Sequence, residues 1–134
     1  MNLIILAAGR GRRLKSKTSL TPKPLVKFLG KSILEYQISI TRKFKSIKPI
    51  LVLGYKHFLF KNYRFPKVIN KEYHSTNMVH SLFKAKKYMN KNLIISYSDI
   101  IYSKDELLNK FIFASSFLQD AKQMRMLEDE QAKN

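Results

Sequence analysis

An α/β domain on a mostly parallel sheet, with helices over both faces, is the fold class this sequence predicts. Three observations carry it. Short, almost uninterrupted apolar runs recur along the chain, helix-compatible segments separate them, and a glycine-rich loop follows directly on the first run. With 134 residues, 45% of them hydrophobic, the chain has material for one core and not for two.

The elements follow in order. Leu3 to Ala8 is a continuous apolar run stopped by Gly9, the pattern of a strand buried on both faces. Ser32 is placed to cap a helix running to about Phe44, with Ile33, Leu34, Tyr36, Ile38 and Ile40 as an uneven apolar stripe. Pro49 to Gly54 reads as a second strand, Tyr55 to Tyr63 as a short helix, and Lys67 to Asn70 as a brief third strand. Asn77 caps the next helix, with Val79, Leu82, Phe83, Tyr88 and Met89 assigned to its inner side and Lys84, Lys86 and Lys87 outward. Asn92 to Ser98 is a fourth strand ending at Asp99, and Ser103 is placed to cap a last helix near Lys104. The order β, α, β, α, β, α, β gives a Rossmann-like three-layer domain. Ligands of such sheets bind at the carboxyl ends of the strands, where both the glycine loop and Asp99 fall.

Charge and composition narrow the partners without choosing one. Lys and Arg number 26 against 9 acidic residues, for a formal net charge of +17. That balance attracts polyanions of any kind, but the basic residues are spread along the chain as a solvated surface would be, and no aromatic-rich nucleic-acid signature accompanies them. Nucleic acid is therefore the less favoured partner. Cysteine is absent, which excludes a disulfide framework, a thiol nucleophile and a thiolate zinc site. The run from Leu3 is too short to span a bilayer and no basic segment precedes it, so a cytoplasmic protein is expected. His57, His74 and His80 have no metal-ligand spacing and are assigned to surface or packing roles, with substrate contact by His74 or His80 a lesser alternative.

The loop after the first strand carries the chemistry. Gly9 and Gly11 let the main chain turn tightly and present N–H groups to an anion, while Arg10, Arg12, Arg13 and Lys23 supply charge for several phosphate oxygens. A nucleoside triphosphate is the natural guest. Two rival motifs fail on their residues. A dinucleotide fingerprint needs a small residue where Leu14 stands, and Leu25 occupies the first glycine position of a P-loop reading of Gly30-Lys31-Ser32, which is read as a turn entering a helix.

Leu6-Ala7-Ala8-Gly9-Arg10-Gly11-Arg12-Arg13-Leu14, Thr18, Pro22-Lys23-Pro24-Leu25 and Gly30-Lys31 stand in the order found in the sugar-phosphate nucleotidyltransferases, the MobA-like NTP transferase domain. The chain closely resembles that family, and in pattern its branch that includes the phosphocholine cytidylyltransferases. Asn70, Asn77 and Ser81 match the Asn and the Asn-x-x-x-Ser helix start of that branch, while Ser16 and Ser32 replace prolines common in the family.

The resemblance implies transfer of a nucleoside monophosphate from an NTP, CTP or UTP, to a phosphorylated small molecule, phosphocholine or a sugar 1-phosphate, with release of pyrophosphate. It implies Arg13 on the β- and γ-phosphates with the Gly9 to Gly11 amides beneath, Arg10 among the nucleotide-binding residues, and Lys23 on the α-phosphate or the attacking phosphate. Leu6, Ala7, Ala8, Asn77 and Ser81 are implied around base and ribose, and Asp99 as the holder of Mg²⁺, a hard ion suited to carboxylate and phosphate oxygens. Asn77 as helix cap alone, or Asp99 as turn residue alone, are the simpler alternatives.

The family usually runs longer, and only its N-terminal portion is matched. Residues 1–117 are read as the NTP-binding portion and 118–134 as a charged, helical or unstructured tail, which holds 4 of the 9 acidic residues. Nothing is carried onto Asp120 or Asp129. The expected sheet is incomplete at the C-terminus, which favours association with a second copy or a completing chain. Three readings follow: a nucleotidyltransferase, an inactive nucleotide-binding fragment, and a small basic nucleic-acid-binding protein.

Overall fold

The computed structural model describes residues 1–11, 20–89 and 92–101. Its centre is a four-stranded sheet, and every pairing in it is parallel. β1 (Asn2–Ala7) lies between β4 (Lys48–Leu53) and β6 (Leu93–Tyr97), and β5 (Lys67–Ile69) extends the far edge of β4. Between β1 and β4 the chain makes a small hairpin of β2 (Lys27–Phe28) and β3 (Lys31–Ser32) and then helix α1 (Ile33–Thr41); α2 (Met78–Lys84) joins β5 to β6.

The unbroken apolar character of β1 follows from its central place, because alternate side chains enter opposite layers. Leu3, Ile5 and Ala7 pack with Leu34, Ile38, Leu51, Leu53, Phe60 and Ile94 on one face; Ile4 and Leu6 pack with Ile50, Val52, Leu82, Ala85 and Leu93 on the other. Each fully buried Leu or Ile contributes about 1.5–3 kcal/mol, so these two layers hold the strands in register against the entropy of the chain. Pro49 is tolerated in β4 because β5 joins only from Leu51 onward, and the N–H that proline lacks would have faced that open side.

Several boundaries differ from the sequence expectation. The Leu29-Gly30 pair closes the hairpin with φ of +50° and +83°, a two-residue turn with both residues left-handed, so Gly30-Lys31 enters a strand before the helix. Ser32 then caps α1 as expected, accepting from Glu35 N–H at 3.1 Å while Glu35 Oε2 accepts from Ser32 N–H at 2.8 Å. α1 stops at Thr41, short of Phe44, because the Lys43 and Phe44 amides bond three residues back, to Ile40 and Thr41, and tighten the chain out of α geometry.

The Tyr55 to Tyr63 segment is only a four-residue 3-10 turn, His57–Phe60, that buries Phe60. α2 ends at Lys84, and Tyr88 and Met89, expected on its inner side, follow in and after a separate 3-10 turn, Lys86–Tyr88. α2 buries Ser81 and Leu82, Ala85 just past it is buried too, and Val79, expected inside, is 47% exposed. Asn77 caps the helix as expected, so the difference at Val79 is one of face and not of start. The expected helix near Ser103 and Lys104 and the 118–134 tail lie outside the described residues. Among the described residues no helix is long and apolar enough to cross a membrane.

Candidate functional site

The carboxyl ends of β1 and β6, the glycine loop and the loop from β5 into α2 surround a cavity of about 470 Å³, within the range of small-molecule sites. Leu6, Ala8, Gly9 and Gly11 line it from the β1 side; Lys23, the Asn77–Ser81 start of α2, and Asp99 come from three further segments. Gly11 adopts φ +70°, a left-handed conformation that favours glycine. Gly54 serves the site from behind. A Cβ there would lie 2.7 Å from the Ala8 carbonyl oxygen and 2.6 Å from Tyr73 Cβ, so only glycine lets β4 end against both cavity walls.

Lys23 begins a 3-10 turn between two prolines, and its Nζ donates to Asp99 Oδ2 at 2.8 Å. The two side chains are 30% and 43% exposed, so the pair adds little to stability; its consequence is placement of a cation and a carboxylate side by side on the cavity wall. An ammonium has three donors and Asp99 takes one, which leaves two for an anion in the cavity.

Behind the lining residues Thr76 and Ser81, Asn70 is fully buried just past the end of β5. Its Nδ2 donates to Thr76 Oγ1 at 3.0 Å and Ser81 Oγ at 2.9 Å, and its Oδ1 accepts from the Glu72 amide at 3.0 Å. One side chain thus folds the 70–76 loop and sets the Ser81 hydroxyl. Asn77 combines its two alternatives: Oδ1 accepts from His80 N–H at 3.0 Å as a helix cap, and the residue lines the cavity.

Not every expected residue reaches the cavity. Ala7 turns its side chain into the opposite core layer, since it alternates with Leu6 and Ala8 along β1. Arg10 is exposed and lies over the Tyr55 ring at 5.5 Å from its centroid, outside the cavity lining. Arg13 lies outside the described residues. His57, His74 and His80 are exposed; His80 Nε2 sits 3.3 Å from Glu72 Oε2. Tyr73, Thr76, Met78, Tyr97 and Ser98 line the cavity without having been singled out, although all lie in segments just past the carboxyl ends of β5 and β6.

Among the described residues no group of three or more His, Asp or Glu side chains converges on one point. A single carboxylate beside an anion pocket fits Mg²⁺ held mainly by ligand phosphates, because that ion commonly takes one or two protein carboxylates and completes its shell with phosphate and water.

A parallel α/β sheet with a glycine loop, a lysine and a carboxylate around one strand-end cavity defines a nucleotide-binding class of protein. Residues 3–129 match the MobA-like NTP transferase domain, and the chain belongs to that family. It is 40% identical to the CTP:phosphoglutamine cytidylyltransferase of Campylobacter jejuni, over 78% of this chain and 46% of that protein. It is 32% identical to the choline-phosphate cytidylyltransferase of Haemophilus influenzae, over 82% of this chain and 48% of that one. The solved structure of the CTP:phosphocholine cytidylyltransferase from Streptococcus pneumoniae superposes with a TM-score of 0.65 at 32% identity, covering 78% of this chain and 49% of that one. The chain spans about half the length of the curated relatives it matches.

Proposed function

We propose that this chain carries the NTP site of a cytidylyltransferase, which transfers CMP from CTP to a phosphorylated small molecule and releases pyrophosphate. The observation that carries the reading is the cavity bringing Gly9, Gly11, Lys23, Asn77, Ser81 and Asp99 together from segments distant in the chain. CTP is preferred to UTP because the relatives at 40% and 32% identity are cytidylyltransferases. The acceptor is proposed as a phosphate monoester on a small polar molecule, of the phosphocholine or phosphoglutamine kind, with a sugar 1-phosphate as the alternative. An NTP pool and a phosphorylated acceptor place the reaction in the cytoplasm.

In the proposed mechanism an oxygen of the acceptor phosphate attacks the α-phosphorus, and the bond from α-phosphorus to the bridging oxygen of pyrophosphate breaks. The nucleophile is an anion at neutral pH, so no side chain has to take a proton, and catalysis reduces to alignment and charge neutralisation. Lys23 sits on the wall where its free donors meet the α-phosphate or the incoming phosphate. Main-chain N–H groups around Gly9 and Gly11 receive phosphate oxygens, and Arg13 extends that contact to the β- and γ-phosphates. Asn77 and Ser81 face base and ribose. Mg²⁺ held by Asp99 would supply further neutralisation of the phosphate charge.

A thermal melt of the chain with each NTP, with and without Mg²⁺, tests the site, since a ligand of the folded state raises stability by RT ln(1 + [L]/Kd). A rise selective for CTP is expected, followed by pyrophosphate release when acceptor is added. The relatives' greater length supports a second reading, a nucleotide-binding half that needs the remaining part for turnover; it predicts the same melt without pyrophosphate release. A melt indifferent to mononucleotides but raised by polynucleotide in a salt-dependent way would support the nucleic-acid reading instead.

A further inference from the structure

The apolar stripe of α1 contains one residue that does not belong in a core. Leu34, Ile38 and Thr41 are joined on the buried face by Gln37, only 1% exposed. Its Nε2 donates to the Tyr97 carbonyl at 2.7 Å and the Ile100 carbonyl at 2.6 Å, while its buried Oε1 has no hydrogen-bond partner among the described residues. Two carbonyl acceptors on one nitrogen leave no choice of amide orientation, because the flipped side chain would set oxygen against oxygen. A methionine would fill the same volume but take the donor from the Ile100 carbonyl, so what the amide adds beyond packing is its hold on these carbonyls.

The carbonyls it grips bracket Ser98 and Asp99. β6 leaves the sheet at the Ser98 N–H bond to the Leu6 carbonyl, 3.2 Å. Past that point, among the described residues, the turn is held by Lys23 on the Asp99 carboxylate and by Gln37 on the Ile100 carbonyl. Tyr97 O keeps a second donor in Ser96 Oγ, at 3.1 Å, so the Ile100 contact is the one that depends on Gln37.

We propose that Gln37 is a positioning residue: from the core it clamps the 97–100 turn and so aims the Asp99 carboxylate at the cavity. The proposal rests on the nucleotidyltransferase reading for its catalytic consequence, and on the turn geometry alone for its structural one. It requires no titration and no contact between Gln37 and substrate.

The full chain carrying Gln37→Met tests it by two readouts. Amide hydrogen exchange at residues 98–101 is expected to quicken at least tenfold, with the amides of β1 and β4 unchanged. The gain in CTP affinity on adding Mg²⁺ is expected to fall at least tenfold while affinity without Mg²⁺ stays within twofold, and kcat is expected to fall more than KM. Ile38→Val, a packing change on the same helix face, should lower the melting temperature without moving either readout. Should Gln37→Met not fold, both readouts are taken on Gln37→Asn, whose amide is one carbon short of the two carbonyls. Unchanged exchange at 98–101 overturns the clamp, and faster exchange with an intact Mg²⁺-dependent gain overturns its role at the site. A wild-type chain that takes no CTP overturns the reading of the cavity, whereas the exchange result still decides whether Gln37 holds the turn.

Discussion

Gly54→Ala is the most direct test of how the cavity is built. The added methyl would stand 2.6 Å from Tyr73 Cβ, 2.7 Å from the Ala8 carbonyl oxygen and 2.8 Å from Tyr73 Cγ. Carbon atoms pack comfortably at about 3.5–4.0 Å, so the overlap with Tyr73 Cβ is roughly 1 Å. Neither main obstacle can rotate away. Ala8 O is main chain and already accepts the Tyr55 amide at 2.9 Å, and a Cβ moves only with its own backbone. Overpacking typically costs about 1–3 kcal/mol, and rigid obstacles on two sides put this substitution near 3 kcal/mol, a factor of about 100 in the folded-to-unfolded ratio. Because Ala8 and Tyr73 both line the cavity, relief of the clash must displace a wall, and CTP affinity should fall with stability. Urea unfolding of the two proteins, with m unchanged, measures the first effect and calorimetric titration the second. A loss below about 1 kcal/mol with unaltered CTP binding would refute this account of β4 ending against the site.

The remaining predictions separate fold from site. Gly9→Ala meets no atom within 4 Å, so it should change stability by less than about 0.5 kcal/mol yet weaken CTP binding, because the residue lines the cavity; equal binding by calorimetry would remove Gly9 from the phosphate contact. Lys23→Met and Asp99→Asn should each slow pyrophosphate release by roughly 100-fold, the scale of losing one transition-state contact, with unfolding free energy shifted by less than about 1 kcal/mol. Unchanged release from both variants would overturn their proposed roles. Asn70→Ala leaves Thr76, Ser81 and the Glu72 amide without their shared partner, and should cost about 3 kcal/mol in chemical denaturation; a loss under about 1 kcal/mol would show that the 70–76 loop holds itself.

Much of this architecture was legible along the chain because its signals are local. A strand buried on both faces must be apolar throughout, so β1, β4 and β6 announce themselves, and Ser32 and Asn77 mark helix starts by offering acceptors to free amides. Strands of two residues carry no periodicity, which is why the β2–β3 hairpin was missed, and Leu29 hid its turn by adopting a left-handed φ that leucine rarely takes. The inner face of α2 was misjudged at Val79 because two turns of helix hold too few apolar positions to define one stripe.

Of the candidates that line the cavity, Gly9, Gly11 and Lys23 stood out because phosphate chemistry restricts which residues serve it, Asp99 because it ends a strand, and Asn77 and Ser81 through the family resemblance. Their convergence was not readable, because it depends on distances that no stretch of sequence contains. Parallel pairing of β1 with β6 brings positions 6 and 97 together, and that register sets Asp99 within 2.8 Å of Lys23. Alternation along β1 sends Ala7 to the core and Ala8 to the cavity, and a buried glutamine becomes a clamp only when the helix carrying it is laid across the end of β6. Local chemistry names the candidates, and packing of the sheet decides which of them meet.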